Sequence, residues 1–254
     1  MVATIYHVIG TDTDVGKTIA TAALAAVLRS LGQQVAIFKP AQTGVLAGEP
    51  GDVQLAGYLS GADAYEGARC TLPMAPVLAA EYDGVSLPSL AEYARQVLRL
   101  AAEYDAVIVE GAGGVSVDLG AIAPFGERYV SQNQADLIAL IAEEAEGIPQ
   151  RNLIVARAGL GTLNHVELTR QYLYQWGLGC AGVIIGSLPA KPSRVERDNL
   201  KFLERMGYLL VGAIPAGVGK GFTVGEHREF VHDDAEVRCF REQAGQWLGG
   251  LRLL

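Results

Sequence analysis

Six short runs rich in Val and Ile recur along the chain, at 4–9 (TIYHVI), 34–38 (QVAIF), 106–109 (AVIV), 153–156 (LIVA), 182–185 (GVII) and 208–214 (YLLVGAI). Each has the length of a strand and no polar face, so each must be covered on both sides. Between the runs lie segments whose apolar residues recur about every 3.6 positions, at 17–31, 89–104, 134–145, 164–176 and 193–206. Alternation of this kind joins parallel strands through helical crossovers. It predicts a doubly wound α/β fold, a mainly parallel sheet with helices on both faces. No repeat, low-complexity tract or linker-like Pro/Ser run interrupts residues 1–254. A single domain is therefore expected, with 218–254 as a C-terminal tail of unassigned role.

Composition narrows the partners. Half of the residues are hydrophobic, which supports a packed core and excludes a disordered chain. Twenty Lys and Arg against 28 Asp and Glu leave a net charge of −8, a balance that repels phosphate backbones and anionic lipid surfaces. Neither nucleic acid nor membrane is expected as a partner. Cys70, Cys180 and Cys239 are odd in number and form no CxxC pair, so neither a disulfide framework nor a cysteine zinc site is expected. His227 and His232 lie five apart, not at the i, i+4 spacing that puts two ligands on one helical face. No basic stretch precedes an apolar core at the N-terminus, and no window approaches the roughly 20 apolar residues that span a bilayer. A soluble protein of the reducing cytoplasm is expected.

In a doubly wound sheet, ligands bind beyond the carboxyl ends of the strands. The segments there are GTDTDVGKT (10–18), KPAQTG (39–44), EGAGG (110–114), RAGLGTLNH (157–165), GSLPAKP (186–192) and PAGVGK (215–220). The first reads as a phosphate-binding loop. Its glycines let backbone N–H groups face phosphate oxygens, the helix that follows adds positive potential, Lys17 neutralises phosphate charge and Thr18 can hold Mg²⁺. Five residues, not the usual four, separate Gly10 from Gly16. Lys39 follows its strand directly and is expected in the same cleft as Lys17, the alternative being a surface lysine. Glu110 ends the third run and is a hard oxygen ligand suited to Mg²⁺. Asp52 opens a further helix, either as a second carboxylate for the metal or as an ordinary N-cap. Pro73 and Pro76 define an extended segment beside Cys70, whose thiol is expected to be buried and inert. His165 is expected to serve local hydrogen bonding.

Taken in order, GTDTDVGKT, FKPAQTG (38–44), the Asp52 segment, VEGAGGVSVDL (109–119) and GLGTLNH (159–165) resemble the dethiobiotin synthetases. These ATP-dependent enzymes close the ureido ring in biotin synthesis. The resemblance covers about residues 3–217. It implies Mg²⁺ and ATP, the small substrates 7,8-diaminononanoate and CO₂, and a homodimer with active sites at the subunit interface. Lys17 and Lys39 would be the catalytic, charge-stabilising lysines, and Thr18, Asp52 and Glu110 the metal ligands. Asp14, Val15, Gly16, Lys17, Thr18 and Ile19 would surround the triphosphate, with Glu110, Gly111, Ala112 and Gly113 approaching the nucleotide. Gly186-Ser187 and Pro215-Ala216-Gly217 would flank its base. Thr11 and Thr43 would contact the diamine and its carbamate. Leu160, Gly161, Thr162, Leu163 and Asn164 of the partner subunit would hold the substrate's carboxylate at a helix start.

The implied reaction runs through a carbamate and a carbamic-phosphoric anhydride and needs no protein nucleophile. Many members carry Asn-Asp where this chain has Gly186-Ser187. With one hydroxyl to read the base, nucleotides other than ATP are expected to be accepted. The rival reading is a nucleotide switch of the partition and septum-positioning type. Such ATPases carry an additional lysine early in the loop, where this chain has Thr11, Asp12, Thr13 and Asp14.

Overall fold

The computed structural model describes residues 2–120, 131–219, 223–224, 230–231 and 234–253. Its main sheet is built from β1 (Thr4–Gly10), β2 (Val35–Gln42), β3 (Asp63–Arg69), β4 (Ala106–Gly114), β5 (Gln150–Ala156), β6 (Gly182–Leu188) and β7 (Leu210–Pro215). The spatial order is β3-β2-β4-β1-β5-β6-β7, and every neighbouring pair is parallel. A two-stranded antiparallel ribbon, β8 (Thr223–Val224) and β9 (Phe230–Val231), lies outside it.

Helices cover both faces. On one lie α1 (Lys17–Ser30), α2 (Asp52–Ser60) and α8 (Asp234–Trp247), where Leu24, Val53 and Phe240 pack with Val8, Ile37 and Ile108. On the other lie α4 (Leu90–Glu103) and α5 (Gln134–Glu144), and further along α6 (Thr162–Gln175) and α7 (Arg194–Arg205). Tyr93, Val97 and Leu137 meet Ile5, Phe38 and Val107 there, and Val166 and Leu203 meet Ile9, Ile154 and Ile185. The boundaries follow local chemistry. Ser89, Asn133 and Ser193 cap α4, α5 and α7, each in a reciprocal pair with an acidic residue three positions on, which satisfies amide groups that the helix itself cannot.

The doubly wound parallel sheet expected from the sequence is the observed one, and further elements add to it. Edge strand β3 (DAYEGAR) has no apolar run to announce it. A short α3 (Pro76–Asp83) begins at Pro76, so the expected extended segment stops there; proline fits a first helical turn because its missing N–H would have no partner anyway. The tail carries α8 and a 3-10 turn, Gly249–Leu253. Phe240, Ala244, Leu248 and Leu251 are buried in the core beneath α1, so this part of the tail shields one face of the sheet. His227 and His232 lie outside the described residues. Among the described residues no helix is long and apolar enough to cross a membrane.

The strand order sets the place of the site. The chain leaves β1 for β2 and β3 on one side, returns through β4, and then builds β5, β6 and β7 on the other. The direction of winding therefore reverses around β1, which opens a crevice at its carboxyl end.

One buried residue of β1 makes folding sensitive to acid. His7 is fully buried and shares a hydrogen bond of 2.8 Å with Gln150 of β5. Burial disfavours its charged form and lowers its pKa to about 4, against a smaller opposing effect of the Gln150 bond. The unfolded chain, with a histidine pKa of roughly 6.5, then binds a proton that the folded chain refuses. Stability present above that pH is lost as pH falls toward 4. Urea unfolding at pH 7 and pH 4.5 should show wild type losing about 2 kcal/mol more than His7→Asn; equal losses would contradict this assignment.

Candidate functional site

A cavity of about 850 Å³ opens at the carboxyl edge of β1, β2 and β4. Its floor is the loop between β1 and α1. Asp14 (φ 55°) and Gly16 (φ 95°) make the bend, both in the left-handed region. Gly16 lies against the end of β6, where a Cβ on it would stand 2.6 Å from the Gly186 carbonyl oxygen. Conversely, a Cβ on Gly186 would run into the Val15 carbonyl. Gly186 is thus required by packing against the phosphate loop, and Ser187 beside it is exposed. Lys17 opens α1 and its Nζ donates to the Asp12 carbonyl at 2.9 Å. The Asp12 carboxylate is itself paired with Arg157 at 2.8 Å.

Lys39 is the centre of charge. It lies within β2, not after it, and is buried. Its Nζ donates to Asp52 Oδ2 at 2.6 Å and to Glu110 Oε1 at 2.8 Å. Thr18 Oγ1 donates to the same Glu110 oxygen at 3.0 Å. Burial opposes charge on Lys39, but Glu110 and Asp52 outweigh it and raise the pKa above the usual lysine value. At Lys17 burial prevails over the attraction of Glu110, and the pKa falls. Asp52 is held below the usual carboxylate range because Lys39 outweighs its burial.

Mg²⁺ can be tested against these residues. Glu110 is inaccessible to solvent, and its Oε2 has no hydrogen-bond partner among the described residues. A buried carboxylate oxygen left this way calls for a cation or water. With Thr18 Oγ1 and the part-exposed Asp52 carboxylate, the donors are all hard oxygens, the set Mg²⁺ takes. The residues present fit the ion.

The structure brings together in one cavity the expected lysines, metal ligands and most of the phosphate loop, and leaves the other expected residues outside it, Thr43, Ala112 and Gly113 excepted. Asp14, Gly16, Lys17, Thr18, Ile19, Lys39, Thr43, Asp52, Glu110, Ala112 and Gly113 line the cavity. Asp52 is not an N-cap. Gly51 holds that position and Asp52 is the first helical residue. Thr11, Val15 and Gly111 are not in the cavity lining. Leu160, Gly161, Thr162, Leu163 and Asn164 form the start of α6 outside it, with Leu160 88% exposed. Gly186, Ser187, Pro215, Ala216 and Gly217 also lie outside it. The end of β6 and the loop after β7 nevertheless border the phosphate loop and the first turn of α1, since Gly186 abuts Val15 and Gly219 abuts Ile19. Sequence reasoning missed the wall formed by Pro73, Met74, Ala75 and Pro76, and the contribution of Gln42. The prolines were the available signal for the wall.

Comparisons with known proteins identify the family. Residues 4–217 match the model of a family described as an AAA domain. The ATP-dependent dethiobiotin synthetase BioD of Rhodococcus jostii is 45% identical over 215 residues, covering 84% of this chain and 87% of that protein. The BioD of Parafrankia sp. is 44% identical over 214 residues, covering 84% of each. Among solved structures, the septum site-determining protein MinD of Pyrococcus horikoshii, complexed with Mg-ADP, superposes with a TM-score of 0.51 at 14% identity. It covers 96% of this chain and 95% of that one, a likeness of fold alone.

The buried charges bear on how variants should be read. Placing Lys17 and Lys39 in loops would leave the fold untouched by their removal. Lys39 instead stands mid-strand beside a carboxylate with no solvent access, and removing one partner of such a pair costs about 3 kcal/mol or more. Thermal and urea unfolding should show Lys39→Ala destabilised by about that amount, with much of it recovered in Lys39→Ala/Glu110→Gln. A Lys39→Ala protein as stable as wild type would mean that Glu110 does not depend on this cation.

Proposed function

The chain belongs to the ATP-dependent dethiobiotin synthetases, and from that premise we propose that its cavity carries out ring closure on 7,8-diaminononanoate through a phosphorylated carbamate. The observation that supports it most is the convergence of Lys17, Lys39, Thr18, Asp52 and Glu110 at one strand edge. One amine of the substrate captures CO₂ and loses a proton, giving a carbamate. A carbamate oxygen attacks the γ-phosphorus of ATP and ADP departs. The second amine then attacks the carbamoyl carbon, phosphate leaves with the C–O bonding pair, and the amine's proton passes to solvent.

No step needs a nucleophilic side chain. Each needs positive charge preorganised where oxygens crowd together. Lys17, at the start of α1, faces the phosphates together with the helix's positive end. Lys39, kept protonated by its two carboxylates, holds charge beside them in a site where water screens little. Mg²⁺, held by Thr18, Asp52 and Glu110, would supply further neutralisation of the β- and γ-phosphates when bound. Thr43 lines the same cavity and is assigned to the diamine side.

A homodimer is part of this proposal. The start of α6 lies outside its own chain's cavity, while Thr162 Oγ1 is buried without a partner among the described residues and Leu160 is exposed. A second subunit would present this helix start to the substrate's carboxylate. The nucleotide base is proposed to be read loosely, because Gly186 is committed to packing and Ser187 alone offers a hydroxyl.

The test is to supply the diamine, bicarbonate and Mg-ATP and to detect dethiobiotin by mass. Product is expected, and Lys17→Ala should lower kcat by roughly 10² to 10³, the scale of one lost preorganised charge. Absence of product from folded wild type would refute the assignment. Replacing ATP by CTP, GTP or UTP should keep kcat/KM within about tenfold, or roughly 1.4 kcal/mol; a preference for ATP above about a hundredfold would show that backbone groups read adenine.

A further inference from the structure

Gln42 belongs to the KPAQTG segment, yet neither the phosphate chemistry nor the lysine pair accounts for it. It is 3% exposed at the end of β2, and both ends of its amide are engaged. Its Oε1 accepts from the backbone N–H of Asp52 at 2.9 Å. Its Nε2 donates to the backbone carbonyl of Thr43 at 3.0 Å. One partner is a donor and the other an acceptor, so the orientation of the amide is determined by its surroundings.

The first bond replaces an ordinary helix cap. The first N–H groups of α2 need an acceptor from outside the helix, and Gly51 at the capping position has no side chain to give one. Gln54 reaches back to the Gly51 N–H at 2.9 Å, and Gln42 serves the next amide from a different element. Gly51 is what leaves it room, because a Cβ there would stand 2.7 Å from Gln42 Oε1 and 2.8 Å from its Cδ. The amide that Gln42 holds belongs to the residue whose carboxylate pairs with Lys39.

We propose that Gln42 is a positioning residue that sets both halves of the site, fixing Asp52 toward the metal through its carbonyl oxygen and Thr43 toward the diamine through its nitrogen. The proposal rests on the reading of the cavity given above. Gln42 acts through Asp52 and Thr43 and leaves the phosphate loop alone. Its loss should therefore weaken the metal and diamine without weakening the nucleotide.

Two variants test this. Gln42→Met keeps the length of the side chain and removes both hydrogen bonds. Gly51→Ala keeps Gln42 but places a methyl group against its amide, and with φ −96° at that position alanine is unstrained. Mn²⁺ binding in the presence of a non-hydrolysable ATP analogue can be followed by EPR, and the affinity of ATP in EDTA by calorimetry. Both variants should bind Mn²⁺ at least about tenfold more weakly, the usual effect of losing a group that orients a metal ligand, while ATP affinity in EDTA stays within about twofold. The diamine KM should rise as well. Unchanged Mn²⁺ affinity in both folded variants, or a parallel loss of ATP affinity in EDTA, would overturn the role. The Mn²⁺ titration needs no turnover, so a wild type that makes no dethiobiotin would sink the function while this test still reads Gln42.

Discussion

A single buried ammonium group, Lys39 Nζ, ties together three parts of the chain. It stands between Asp52 at the start of α2 and Glu110 in β4. Strands β2 and β4 pair in register through Phe38 and Val109, so Lys39 and Glu110 are the next residues along two adjacent parallel strands. A carboxylate with no solvent access needs a neighbouring cation, and this geometry supplies it from the next strand. Asp52 completes the group from a helix that begins ten residues after β2 ends. Two strands and a helix start thereby place three charges beside β1, around which winding reverses, and the cavity inherits them.

The phosphate loop is held from the other side. Gly16 and Gly186 meet backbone to backbone, an approach that no larger residue permits. The ion pair of Asp12 with Arg157 links the loop to the end of β5. Lys17 therefore starts from a position set by β5 and β6, and Lys39 from one set by β2 and β4. The two lysines converge on one cavity because β1 lies between these groups of strands. In the tail, α8 adds a further support, since Arg241 donates to the carbonyls of Tyr58 and Leu59 at the end of α2.

Much of this was legible from the residues. The six core strands announce themselves because a strand buried on both faces can tolerate few polar residues. Lys39 and Glu110 were legible for a related reason, as charges at the ends of apolar runs, and Lys17 from the Gly-Lys-Thr that closes a phosphate-binding loop. The edge strand β3 was not. Asp63, Glu66 and Arg69 face water or each other, and one free edge removes the demand for apolar residues. Gln42 was hidden because its function lies in two backbone hydrogen bonds, which leave no trace in spacing. The packing of Gly186 against Val15 is a property of tertiary approach, and the sequence there shows only a missing side chain. The start of α6 was legible as a helix start, and the fold adds that it lies outside its own chain's cavity.

The central claim is that this arrangement of charge drives phosphoryl transfer onto a carbamate. The most direct measurement follows an oxygen atom. If bicarbonate labelled with ¹⁸O is supplied in ordinary water and the first turnovers are quenched before the label washes out, the carbamate oxygen that attacks phosphorus must leave with the phosphate. Mass spectrometry should find one ¹⁸O in the inorganic phosphate for each dethiobiotin formed. Unlabelled phosphate accompanying labelled dethiobiotin would contradict the account, because the phosphoryl group would then have passed to some acceptor other than the carbamate.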